Sequence, residues 1–305
     1  MGVLPQYSSE QLSLYLDHVR LPASEHASDP QDFLVQLVRR QLAFVPFETL
    51  SLHYSADKSA SLDANDLFDK IVKKRRGGYC FENNTFFGAI LRSIGFHVYG
   101  VICRITTATR GVFDGSWRSM SHMANIVIID GMRYLVDVGY GVDGPCSPLP
   151  LDSGDIRSGL PGQQLRLEHK NLPQHHDPSQ RVWVYSQKRG SEEWADVYHF
   201  PDVEFFPLDF DILNHYTVCK SAWSRIVVAQ RFILDDDGFT VLGSFLLVQN
   251  ELKSGNSSAT GMGLLKQLEN EEQRLAALEE YFSIRLTEEE QQGIRGYVTD
   301  LNKAQ

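Results

Sequence analysis

SHMANIVIIDGMRYLVDVGYG, residues 121–141, reads as two strands folded back on one another. Asp130-Gly131 between β-branched runs is the strongest short-range hairpin signal, and a two-residue loop there sets position 129 opposite 132. Counting outward, 124 faces 137 and 122 faces 139. Side chains two apart on a strand share a face, so His122 and Asp137 fall on the same side as diagonal neighbours. An aspartate between Leu135, Val136 and Val138 is costly to bury unless something donates to it, and an imidazole N–H is a good donor. A satisfied core pair and a working His–Asp pair both fit that pattern.

A second stretch, RRGGYCFENN at 75–84, sets Cys80 after two glycines and at the start of a helical run. A thiol at a helix N-terminus meets unsatisfied N–H groups and the positive end of the dipole, both of which favour thiolate. Gly77 and Gly78 would supply a tight turn with positive φ and leave room for a substrate to approach the sulfur. The alternative is a small buried hydrophobe. Joined to His122 and Asp137, Cys80 would complete the set that nucleophilic catalysis requires: nucleophile, base and orienter.

The chain of 305 residues is long enough for two or three structural units. It is 42% hydrophobic and 22% charged, which excludes disorder and a disulfide scaffold. No run of about 18 apolar residues occurs, so no spanning helix and no membrane partner is expected. MGVLPQYSSEQLSLYLDHVR shows no basic region followed by an apolar stretch, so secretion is not expected, and Gln6 stands where a myristoylation site needs Ser or Thr. A cytoplasmic location follows as the expectation. The net charge of −10 argues against nucleic acid as a partner and requires a local positive site for any anionic ligand. The four cysteines, Cys80, Cys103, Cys146 and Cys219, form no CxxC pair, so neither a zinc cage nor a redox dithiol is expected.

Residues 1–96 read as helices. Ser8 with Gln11 resembles a capping box, Asp29-Pro30 opens a second helix, a third runs near 64–74, and a fourth begins at Cys80 and closes at Gly95. From 97 to 210 the texture turns to β-branched and aromatic runs, an antiparallel β-unit, with 152–179 as a loop or excursion. Residues 211–305 combine strands around a turn at Asp237-Gly238 with a C-terminal helix opened by Thr287 and Glu290. SGNSSAT at 254–260 looks like a flexible loop. Glu-rich 268–280 suggests a solvated helix face. His175-His176-Asp177 reads as a solvated loop without a metal, and Asp235–Asp237 as a polar turn.

RGGYCFENN at 76–84, VPFETL at 45–50, SHMANIV at 121–127 and VDVGYG at 136–141 resemble the arylamine N-acetyltransferases, in the same order and at similar intervals; YFSIRLTEEE is similar to microbial members. The resemblance implies an α+β fold of helical bundle, antiparallel β-barrel and C-terminal α/β lid. It also implies a Cys80–His122–Asp137 triad like that of cysteine proteases and transglutaminases. The chemistry implied is a two-step transfer from acetyl-CoA, or another acyl-CoA, to an arylamine or hydrazine, with no tightly bound cofactor. Phe47 and Tyr140 resemble residues lining the acceptor pocket. Gly139, Gly141, Ser221 and Ser224 resemble positions that meet CoA, although Cys219, Lys220 and Trp223 depart from the family's texture there. Arg76 and Glu48 resemble a structural ion pair beside the site. Propionyl or malonyl transfer is the alternative within the family, and the carboxylate of a malonyl group would need Arg104 or another arginine. A cysteine hydrolase of transglutaminase type and a non-enzymatic scaffold are the readings outside it.

Overall fold

A computed structural model describes residues 4–107, 115–255 and 262–303. Helix α1 (Ser9–His18) starts with the reciprocal box, Gln11 N donating to Ser8 Oγ at 3.2 Å and Ser8 N to Gln11 Oε1 at 3.0 Å. Helix α2 (Pro30–Phe44) has Asp29 accepting from two amides of its first turn and buries Leu34, Leu37, Val38 and Leu42. Strand β1 (Phe47–Glu48) and the short α3 (Ser51–Tyr54) follow. The helix expected at 64–74 is instead α4 (Ala64–Phe68) continued by a wide π turn at Asp69–Lys73. The wide turn keeps Ile71 and Val72 buried while Lys70 reaches Glu82 at 2.6 Å. Helix α5 (Cys80–Ile94) is the most buried of the set and ends at Gly95 with φ +111°.

Eight antiparallel strands come next: β2 (His97–Thr106), β3 (Trp117–Ile129), β4 (Met132–Val136), β5 (Leu149–Pro150), β6 (Ile156–Ser158), β7 (Gln163–Lys170), β8 (Val182–Arg189) and β9 (Ala195–Phe200). Their spatial order is β5-β4-β3-β2-β9-β8-β7-β6. The sheet curls into a nearly closed barrel, with Leu149 of β5 and Leu165 and Leu167 of β7 in one core. The 152–179 stretch is therefore not only a loop. Leu165 and Leu167 alternate with Arg166 and Glu168 at strand period, a signal hidden by the Gly, Pro and His around them.

Helix α6 (Pro207–Lys220) leads from the barrel into a second antiparallel sheet, ordered β1-β10-β11-β12-β13. It is built from β10 (Val228–Leu234), β11 (Val241–Val248), β12 (Glu251–Gly255) and β13 (Gly263–Gln267), with β1 as the edge. The Asp237-Gly238 turn lies between β10 and β11, and Asp235 Oδ1 accepts from Thr240 N at 2.9 Å. Of the expected 254–260 loop, Ser254 and Gly255 end β12 and the remainder lies outside the described residues.

Helix α7 (Glu271–Phe282) covers this sheet, and its Glu-rich sequence is not solvated throughout. Arg274 is 0% exposed. It pairs with Glu271 and donates to the Tyr54 hydroxyl at 2.9 Å and the Thr299 carbonyl at 2.8 Å. The Thr287/Glu290 box is present, but α8 (Glu288–Gly293) lasts only six residues. A Cβ at Gly293 would come within 2.0 Å of the Tyr54 carbonyl oxygen, so the chain there is pressed against α3.

Replacing Arg274 by Met leaves Glu271 buried without its partner, a loss of about 3–5 kcal/mol. Urea unfolding should show that drop, and adding Glu271→Gln to the same chain should recover part of it.

Candidate active site

The hairpin register observed runs from Ile129↔Met132 to Asn125↔Val136, as counted from the sequence. Asp130 and Gly131 hold φ of +49° and +80°, the pair of positive values that a two-residue hairpin loop takes. Beyond the last rung, His122 Nε2 donates to Asp137 Oδ2 at 2.7 Å, with both residues buried. Cys80 lies beside the same imidazole, close enough for its sulfur to act on the ring electrostatically. The Cys80 sulfur also lies 3.9 Å from the Ser121 carbonyl oxygen.

Asp137 has its other oxygen filled as well. Oδ1 accepts from Asn84 Nδ2 and from Gly139 N, each at 3.0 Å. Asn84 went unremarked in the sequence, although it stands four residues after Cys80 and so on the same face of α5. Its amide donates to the Met123 carbonyl at 2.7 Å and its oxygen accepts from Val138 N at 3.0 Å. One side chain thus ties α5 to both strands of the hairpin.

Burial by itself would push His122 down, but the Asp137 carboxylate and the Cys80 sulfur raise it from 6.5 to about 10. Burial would likewise push Asp137 up, yet the His122 charge and the donors from His122, Asn84 and Gly139 hold it below the usual carboxylate value. A His value raised on folding stabilises the fold fully below pH 6.5, and that contribution fades as pH climbs through about 10.

The glycines before Cys80 act differently from the expectation. Neither Gly77 nor Gly78 has positive φ. A Cβ at Gly77 would come within 1.8 Å of the Pro46 carbonyl oxygen, and one at Gly78 within 2.5 Å of Glu82 Cβ. What they permit is close passage against β1 and the first turn of α5, where Glu48 N donates to the Gly78 carbonyl at 2.9 Å.

The expected ion pair is present and larger than two residues. Arg76 contacts Glu48 Oε1 through Nε at 3.0 Å and Nη2 at 2.9 Å, and reaches Glu290 of α8 at 2.6 Å. Lys70 adds contacts to Glu82 at 2.6 Å and Glu48 at 3.8 Å. Burial would raise Glu48, but Arg76 and Lys70 keep it low. Burial raises Glu82 outright, against the pull of Lys70.

Phe47 packs in one apolar cluster with Cys80, Ile102, Met123 and Phe210, with the Trp223 ring edge-on at 5.7 Å. Tyr140 is half-buried and stands edge-on to His122 at 5.1 Å. The close approach that Gly139 permits is that of α5, since a Cβ there would lie 2.8 Å from Cys80 Cα. Gly141, at φ +97°, has open space where a Cβ would be. Ser221 accepts from Trp223 N and Ser224 donates to the Ser221 carbonyl, so both shape one tight turn. His175 Nδ1 accepts from Leu172 N, and Asp177 accepts from Ser179. Among the described residues no group of three His, Cys, Asp or Glu is placed to hold a metal, and no helix is long and apolar enough to cross a membrane.

An α+β fold that brings a thiol beside a buried, hydrogen-bonded imidazole–carboxylate pair has the parts of a thiol enzyme. A family profile described as N-acetyltransferase matches residues 32–291. The chain belongs to this family, that of the arylamine N-acetyltransferases, and is an N-acyltransferase. It is 32% identical to the N-malonyltransferase FDB2 of Fusarium pseudograminearum, over 95% of this chain and 93% of the relative. It is 33% identical to the arylamine N-acetyltransferase of Mycolicibacterium smegmatis, over 67% of this chain and 70% of the relative. The solved arylamine N-acetyltransferase of Nocardia farcinica superposes with a TM-score of 0.77 at 27% identity, covering 94% of each chain. That of Mycobacterium marinum in complex with CoA has the same fold, with a TM-score of 0.73 at 24% identity, covering 90% of this chain and 92% of that one.

Two outcomes check this geometry. Gly139→Ala should displace Cys80 by enough to lower turnover about 10²-fold, measured beside the melting temperature. Histidine-selective NMR should find the His122 imidazolium protonated through pH 8, while Asp137→Asn should let it titrate at lower pH.

Proposed function

We propose that the protein transfers an acyl group from an acyl-CoA to an arylamine or arylhydrazine in two steps through acyl-Cys80. The observation that carries this reading is the buried His122 ring, held by Asp137 through Nε2 with the Cys80 sulfur beside it. His122 holds the proton taken from the thiol as the Cys80 sulfur attacks the thioester carbonyl. Main-chain N–H groups at the start of α5 receive the oxyanion, and CoA departs with a proton. The amine then attacks acyl-Cys80, its proton passes to His122, the acyl–sulfur bond breaks to free the amide and return the Cys80 sulfur, and Asp137 stabilises the imidazolium. Catalysis is thus assigned to Cys80, His122 and Asp137. Phe47 and Tyr140 form aromatic walls for a flat amine. Gly141, Ser221 and Ser224 are the CoA-facing positions we retain, with Gly139 serving the close approach of α5. The Arg76–Glu48 network braces the α5 entrance. No tightly bound cofactor is required.

For the donor we favour malonyl-CoA over the acetyl-CoA expected from the sequence. The support is the likeness to an N-malonyltransferase along 95% of the chain, against 67% for the M. smegmatis acetyltransferase. We also propose units at 1–96, 97–210 and 211–305 and a cytoplasmic site of action, where the four free thiols stay reduced.

Intact-mass measurement after brief exposure to malonyl-CoA or acetyl-CoA tests the reading. The wild-type chain should gain one acyl group that an arylamine then removes, and Cys80→Ala should gain none. His122→Ala should slow acylation by about 10²–10⁴-fold. Turnover without any adduct at Cys80 would rule out the two-step route.

A further inference from the structure

The cations under the start of α5, half-buried Lys70 and buried Arg76, are already committed, Lys70 to Glu82 and Arg76 to Glu48 and Glu290. Arg104 is not. It is half-buried, and among the described residues its guanidinium makes one long hydrogen bond, Nη1 to the Arg118 carbonyl at 3.5 Å. Among the described residues no carboxylate lies within ion-pair distance of it.

Its position on β2 is informative. Arg104 follows Ile102 by two residues, so the two side chains share a face about 7 Å apart. Ile102 packs in the Cys80 cluster. Across the ladder Arg104 pairs with Met120 of β3, which packs against the same cluster. On its other side it pairs with His199 of β9. His199 is 6% exposed, and its Nδ1 is buried without a hydrogen-bond partner. The Trp117 ring stands edge-on to it at 4.6 Å. Burial, and then the Arg104 charge, lowers His199 to about 4, so at neutral pH it is an uncharged imidazole beside the guanidinium.

We propose that Arg104, with His199 Nδ1 beside it, recognises the free carboxylate of a dicarboxylic acyl group as its thioester sits at Cys80. The inference rests on the acyl-Cys80 reading with malonyl as donor, and names the residue that selects the donor. In malonyl-CoA the carboxylate is two carbons from the thioester carbonyl, within reach of a long side chain entering from β2. A guanidinium offers it two parallel N–H donors. In a chain of net charge −10, such an anion needs a local cation with no carboxylate of its own. Acetyl lacks the group that this site would hold.

The test is kcat/KM for malonyl-CoA, acetyl-CoA and isovaleryl-CoA, the last having malonyl's branched shape without its charge. Wild type, Arg104→Gln and Arg104→Lys are compared. Arg104→Gln should lose about 10²-fold on malonyl-CoA, the order expected for a charge-assisted bond, and less than about threefold on the neutral donors. Arg104→Lys should recover part of the malonyl rate. Unchanged acetylation of Cys80 shows that the variants fold. An equal loss on all three donors would assign Arg104 to the CoA phosphates or to the fold and overturn the proposal, as would no loss at all. A wild-type enzyme that takes acetyl-CoA and refuses malonyl-CoA would instead remove the donor reading beneath it. Absence of any Cys80 adduct in wild type would remove the mechanism.

Discussion

Burial of the Asp137 carboxylate organises the centre of this protein. An ionised carboxylate out of water must be met by donors, and Asp137 collects them from three places: His122 on the facing strand, Asn84 on α5 and the amide of Gly139 just beyond it. Because one donor comes from α5, satisfying the aspartate also docks that helix on the barrel. Docking brings the first residue of α5, Cys80, beside the His122 ring. The glycine at 139 is a consequence of the same approach, since a side chain there would occupy the space of Cys80 and Asn84.

A second buried electrostatic network fixes the other side of α5. Glu48 on β1 and Glu82 in the first turn of α5 hold Lys70 and Arg76 between them, and Arg76 extends to Glu290 near the C-terminus. Carboxylates and cations together avoid the cost of burying either alone. The arrangement joins the N-terminal helices to the last helix, 214 residues apart in sequence. It also leaves those two cations occupied, while Arg104, on the strand beside the Cys80 cluster, has no carboxylate within ion-pair distance among the described residues. The placement of charge then bears on which acyl groups the cleft accepts.

Much of this was legible in the sequence, to different depths. The hairpin register was, because strand side chains alternate with a period of two and Asp-Gly fixes the loop; His122 and Asp137 could be set together by counting. Helix starts at Ser8, Asp29 and Cys80 were legible because capping is local chemistry. Asn84 was not, since an asparagine on a helix does not announce what the opposite surface requires. The strand at Gln163–Lys170 was masked by polar neighbours, and the burial of Glu271 and Arg274 was hidden by their company in a Glu-rich run.

The sequence by itself determined the local elements, the facing of His122 and Asp137, and the position of a thiol at a helix entrance, because turn chemistry, periodicity and capping act over a few residues. The tertiary structure decided which long-range partners close the site. Cys80 meets His122, Glu290 meets Arg76, and among the described residues Arg104 is left without a carboxylate. Those outcomes depend on how separate elements pack, and on the energetic demand that each buried charge or polar group find a partner, which no short window of sequence contains.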